Sequence, residues 1–251
     1  LEEIKKMEKS NRERLIARHN LYQITSELAL VKRYLKEGRL WDLAEMRCRA
    51  HPELLNGLRR LKEHQAFLER TEPISRDAAL FYTGSESRSR PIFLRYYRKL
   101  LENYVPPTNK AAIFEDSPKP YSRHYVSDFN RVRTAGYTPI VRSPFGPVPA
   151  DLDEAYPLAQ SLFPEIWDRE TEEDVERMMD EFIKKMGFID VREHKDIEPG
   201  EIEYDADLLR AKATAAYQFG KESADALFKG EIELIKSRKT GKIRNIISDG
   251  E

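Results

Sequence analysis

Cysteine is nearly absent: Cys48 stands alone among 251 residues, which excludes an intrachain disulfide and any all-cysteine metal site built by this chain alone. Long apolar runs are missing too. No segment approaches the ~18 residues needed to span a bilayer. The charged N-terminus, Leu1 to Arg18, also lacks the apolar stretch of a signal peptide, so a cytoplasmic protein with no membrane partner is expected. An excess of either charge is lacking as well. Lys and Arg total 43 against 44 for Asp and Glu, a net charge of −1, so any sign of a nucleic-acid partner has to be local. Locally the charge is uneven. Glu170 to Glu181 holds seven carboxylates and one Arg, whereas Lys229 to Arg244 holds six basic residues and two Glu. A polyanion would favour the second segment.

What is present is enough apolar content, 40%, to bury one large core or two smaller ones. The first seventy residues read as helical. Thr25 or Ser26 can cap a helix carrying Leu28, Val31 and Leu35, and Gly38 ends it. Trp41 to Arg49 forms a short helix, and Pro52 opens another whose buried stripe is Leu54, Leu55, Leu58, Leu61 and Leu68. After Pro73 the pattern mixes. Ala78 to Tyr82, Ala111 to Phe114 and Pro139 to Val141 read as strands, and Pro91 starts a helix through Leu101. Arg142 to Pro149, with three prolines and a glycine in eight residues, is expected to be a shaped loop rather than a regular element. Thr171 to Met186 is an acidic amphipathic helix packing through Val175, Met178, Met179, Phe182 and Ile183. From Asp205 a helix through Leu208, Leu209 and Ala213 precedes a hairpin with strands Glu231 to Lys236 and Lys242 to Ile247.

Four stretches, in order, resemble archaeosine tRNA-guanine transglycosylases. Arg12 to Tyr22, with its His19-Asn20-Leu21 element, is similar to the end of that family's (β/α)8 barrel. Glu37 to Trp41, Arg47 to Pro52, and Phe81 to Gly84 with Glu86-Ser87 and Arg90-Pro91 resemble the helices that follow and the entry to the first C-terminal domain. Ser143 to Pro149 with Tyr156 to Gln160 is the third stretch. Tyr217 to Gly220 with Ser237 to Arg244 is similar to the segment before the terminal PUA domain.

The resemblance implies an α+β chain: the helical end of a (β/α)8 transglycosylase barrel over residues 1–72, a mixed α/β domain over 73–200, and a small α+β domain over 201–251, with the PUA module absent. It implies a pentosyltransferase that exchanges guanine at position 15 of the tRNA D-arm for 7-cyano-7-deazaguanine, in archaeosine biosynthesis. That family's two catalytic aspartates and three cysteine metal ligands have no counterpart in this sequence, so the chain is expected to be a split subunit or a fragment. Its partners would be the catalytic barrel half, tRNA and, once assembled, further copies of the enzyme. In that arrangement His19 takes the place of the fourth ligand of a structural zinc. Two other readings stay open, a non-catalytic tRNA-binding subunit and an amidotransferase related to archaeosine synthase.

Individual residues give weaker signals. Asp116, Asp128, Asp151, Asp153 and Asp205 lie outside the matching motifs and read as structural or solvated. Asp116 to His124 partly resembles a motif of archaeosine synthase but lacks its cysteine, and reads as a proline-rich turn. No nucleophile-elbow pattern supports a triad of Ser117, His124 and Asp128. Lys236, Arg238, Lys239, Lys242 and Arg244 could meet phosphates or form a solvated hairpin. Tyr217 and Phe219 read as core, and Arg39, Arg47 and Arg49 face either RNA or solvent.

Overall fold

The computed structural model describes residues 2–72 and 78–228, together with the backbone of two short strands beyond them. The chain divides into two compact units, residues 1–73 and 74–251.

The first unit is helical: α1 (Glu2–Lys5), α2 (Lys9–Lys36), α3 (Leu40–Cys48), α4 (Pro52–Arg60) and α5 (Gln65–Thr71). The cap expected at Thr25 or Ser26 does not form. Helix α2 runs unbroken for 28 residues, and the Thr25 hydroxyl turns back to the Leu21 carbonyl at 2.8 Å, an acceptor that an intact helix already offers to threonine. The stop at Gly38 is as read. Its φ is 65°, Arg39 N–H donates to Tyr34 O at 2.8 Å and Gly38 N–H to Leu35 O at 3.1 Å, the paired bonds of a Schellman close. The expected leucine stripe is interrupted. Helix α4 gives way to a 3-10 turn at Leu61–His64, whose shorter period rotates the later leucines out of line. Of the five, only Leu58 is buried. It joins Trp41 and Leu43 in the small core, where the Trp41 indole N–H donates to the buried Glu45 carboxylate at 2.9 Å.

The second unit continues with β1 (Leu80–Phe81), α6 (Pro91–Asn103), β2 (Lys110–Phe114), α7 (Tyr121–His124), α8 (Val126–Thr134), β3 (Thr138–Ser143), β4 (Gly146–Pro149), β5 (Ser161–Leu162), α9 (Arg169–Met186), β6 (Asp190–Glu193), α10 (Ala206–Phe219) and α11 (Lys221–Phe228). Its sheet has the order β4-β3-β2-β6, with β3 and β6 parallel to β2 and β4 antiparallel to β3. Strands β1 and β5 form a separate parallel pair. Helix α8 packs on β3, while α9 packs on β3 and β4.

The segment expected to be an irregular loop is a hairpin instead. Strand β4 is an edge strand, paired Ile140↔Pro149, Val141↔Val148, Arg142↔Pro147 and Ser143↔Gly146. Antiparallel pairs alternate between bonded and non-bonded positions, and both strand prolines share the parity facing away from β3, where a missing N–H breaks no ladder bond. The Pro147 carbonyl also points outward and accepts the buried Tyr96 hydroxyl at 2.8 Å. Gly146 is required at the turn. Its φ is 92°, and a Cβ there would sit 2.5 Å from Met178 Cε.

Helix α9 is capped at both ends. Asp168 accepts from Thr171 N–H at 2.8 Å, and Gly187 closes the C-terminus in the left-handed conformation. Asp205 caps α10, but the buried face of that helix is Ala213, Ala215, Ala216 and Tyr217 rather than Leu208, which is exposed. Small residues there let α10 lie close to α6, with the Tyr217 and Tyr96 rings 5.7 Å apart. Helix α11 follows without having been read from the sequence. Strands β7 (Ile235–Lys236) and β8 (Ile243–Asn245) pair antiparallel, as the hairpin reading requires.

Candidate functional site

A cleft of about 1080 Å³ opens where the chain leaves the carboxyl end of β2. In open sheets with parallel strands this is the favoured place for a ligand, because diverging loops leave a crevice. Glu115, Asp116, Ser117, Pro118 and Lys119 form one wall, and Arg142 from the neighbouring parallel strand joins them. The register brings Arg142 to Glu115 at 2.6 Å, and α9 supplies Glu176 to the same guanidinium at 3.1 Å. The facing wall, Ser161 to Trp167, is largely apolar and includes Leu162, Phe163, Ile166 and Trp167.

Lys119 lies at the base. Its amine donates to the Leu158 carbonyl at 2.7 Å and sits 4.3 Å from the centre of the Phe163 ring, 5.2 Å from Tyr121 and 6.0 Å from Phe145. Burial among these rings lowers its pKa to about 8, against the opposing pull of Asp153 and Asp116. Asp116 shares the cleft and accepts the Tyr121 hydroxyl at 2.5 Å. Burial raises its carboxyl above the ordinary range despite that hydrogen bond. Beneath the cleft Asp153 is buried and accepts Ser122 N–H at 2.9 Å. Asp151 is buried against Arg133 at 2.6 Å, its pKa raised by desolvation and restrained by that guanidinium.

The residues singled out from the sequence lie elsewhere. His19 is exposed on α2. Among the described residues no group of three His, Cys, Asp or Glu could hold a metal, so a site using His19 has to draw its other ligands from outside them. Lys236 and Arg244 fall on β7 and β8, and Arg238, Lys239 and Lys242 lie outside the described residues. Arg39, Arg47 and Arg49 are engaged with carboxylates: Asp42 at 3.0 Å, Glu27 through bonds of 2.7 and 2.8 Å, and Glu45 at 4.0 Å. Tyr217 is buried, as read, whereas Phe219 is 39% exposed. Of the five aspartates, only Asp116 lines the cleft. The sequence marks the turn that holds both Asp116 and Lys119, but assigns the lysine no role. The available signal was a lysine between two prolines, Pro118 and Pro120, next to a tyrosine.

Comparison with known proteins gives two concordant findings. A sequence profile described as the patch-forming domain C2 of tRNA-guanine transglycosylase matches residues 209–251. The chain is 38% identical over 98% of its length to the tRNA-guanine(15) transglycosylase of Methanobrevibacter smithii. It is 35% identical over 99% to that of Methanothermobacter thermautotrophicus, and 32% identical over 98% to that of Methanocaldococcus jannaschii. It spans about 40% of the length of these curated relatives. The family resemblance carried by the four sequence stretches is therefore real, and over nearly all its length the chain is similar to one portion of the archaeal tRNA-guanine(15) transglycosylases.

Proposed function

We propose that this chain is the C-terminal bracing and tRNA-positioning part of a tRNA-guanine transglycosylase that exchanges guanine 15 of the D-arm for 7-cyano-7-deazaguanine. The observation that carries this reading is similarity along 98% of the chain to proteins bearing that name. Base exchange needs the target nucleotide drawn out of its stack and a carboxylate beside its glycosidic carbon. Those groups are assigned to the barrel, while this chain contributes surface and rigidity. The basic hairpin, Lys236, Arg238, Lys239, Lys242 and Arg244, is assigned to tRNA phosphates. His19 is assigned to a structural zinc completed by three thiolates from the barrel. Its exposure on α2 leaves the imidazole accessible to such a site.

The test uses labelled guanine and tRNA. The 251-residue chain alone is expected to bind tRNA without incorporating label, and incorporation at the rate of an intact enzyme would overturn the assignment. Replacing Arg238, Lys239 and Lys242 with Ala is expected to weaken binding and to reduce the salt dependence by about 0.7 to 0.9 in log-log slope per lost phosphate contact. An unchanged affinity and slope would make the hairpin a solvated one.

A further inference from the structure

We infer that the cleft at the carboxyl end of β2 is a covalent small-molecule site in which the Lys119 amine is the nucleophile and the ligand is an uncharged or cationic aromatic carbonyl compound. The inference does not depend on the tRNA reading. A lysine on a surface is solvated on all sides, whereas this one is boxed by Phe163, Tyr121 and Phe145 and held by one carbonyl, that of Leu158. It still borders the open cleft. Desolvating an amine in an apolar pocket is a recognised way to make lysine nucleophilic near neutral pH, and the lowered pKa agrees. Asp116 lies in the same cleft, near enough to act on the amine electrostatically, and is itself shifted toward its protonated form.

The chemistry closes without a further reagent. The Lys119 ammonium passes one proton to the Asp116 carboxylate, the neutral Nζ attacks the carbonyl carbon, a C–N bond forms, and the carbonyl π pair moves onto oxygen, which takes that proton from Asp116. The nitrogen, now cationic, gives a proton to Asp116, Asp116 hands it to the hydroxyl, and water leaves as the nitrogen lone pair forms the C=N bond, so that a protonated imine remains on Lys119 beside the Asp116 carboxylate. Phe163 offers a ring surface beside the amine, and Trp167 lines the same cleft. Around the cleft Glu115, Asp116, Glu165, Glu172 and Glu176 outnumber Lys119 and Arg142, and Arg142 is already held by Glu115 and Glu176. An anionic ligand is therefore disfavoured.

The experiment treats the full chain with benzaldehyde and sodium cyanoborohydride at neutral pH and maps the reduced adducts by peptide mass spectrometry. Lys119 is expected to react at least about tenfold faster than the median lysine, since an amine titrating near 8 has a far larger free fraction at neutral pH than one near 10.5. That excess should vanish in chain unfolded by urea. Pyridoxal phosphate, an anionic aldehyde, should show a smaller preference for Lys119 than benzaldehyde does. Reaction at Lys119 no faster than the median in the native chain would overturn the inference. An excess that persists after unfolding would overturn it too, because the cleft would then not be its cause. Equal preference for the two aldehydes would overturn the assigned ligand charge.

Discussion

At the scale of single residues, Lys119 is the position where stability and chemistry oppose each other most plainly. Its folded pKa of about 8 lies below the ordinary 10.5, so below pH 8 both states hold the proton and the folded state bears the whole desolvation penalty. Between 8 and 10.5 the unfolded state binds more protons, and stability rises with pH. At about 1.4 kcal/mol per pH unit the gap amounts to roughly 3 kcal/mol. Lys119→Met is therefore expected to be more stable than the parent near pH 7, with an advantage that shrinks as the pH approaches 10. Urea unfolding at the two pH values checks this, and an advantage that grows with pH would contradict it. In the sequence only the placing of Lys119 between Pro118 and Pro120, with Tyr121 close behind, hints at this. Tyr121 is near in sequence, but Phe145 and Phe163, which complete the burial of the amine, lie 26 and 44 positions further along the chain, and no local pattern connects them to Lys119. By contrast, the burial of Tyr217 was legible, because a large aromatic on a small-residue helix face has little else to do.

Whole elements were read better than their limits. The amphipathic run that became α9 was plain because its period and its acidic face agree, and its buried residues include four of the five expected. Its start depends on one side chain. Asp168 accepts Thr171 N–H through one oxygen at 2.8 Å and Ser85 N–H through the other at 2.9 Å, so it both caps the helix and fastens the preceding 3-10 turn at Ser85–Ser89 to it. Asp168→Ala is expected to lose about 1 to 2 kcal/mol, seen as a lower denaturant midpoint with little change in slope, and Asp168→Asn should keep most of the stability. Equal stability of the Ala variant would mean that water replaces both bonds. The failures at this scale share one cause. Thr25, Ser26 and the prolines of Arg142–Pro149 are residues whose local preference can be satisfied in more than one way, and neighbours along or across the chain decided which. The helix α2 offered Thr25 the Leu21 carbonyl, and the outer side of an edge strand tolerated Pro147 and Pro149.

At the scale of the whole molecule, the mixed architecture and the family resemblance were legible, because motifs survive in order along the chain even where element boundaries do not. The described cleft was not, since its walls come from stretches around residues 115, 142, 165 and 174 that meet only in the fold. The zinc site proposed for His19 would join this chain to its barrel partner. In the assembled enzyme, His19→Ala is expected to lower the zinc content below about one per barrel and to lower the melting temperature, as read by metal analysis and thermal unfolding. Full occupancy with unchanged melting would remove His19 from the ligand set. The prolines of β4 also govern what crowded copies can do to one another. A sheet grows by hydrogen-bonding a new strand to an open edge, but the outer side of β4 presents Pro147 and Pro149, which have no N–H to give, and the Pro147 carbonyl is already taken by Tyr96. The opposite edge, β6, carries Asp190, Arg192 and Glu193 in four residues, charges that an incoming strand would have to desolvate. Neither end of this four-stranded sheet is a template for edge-to-edge polymerisation, so folded copies crowded together are not expected to join through it.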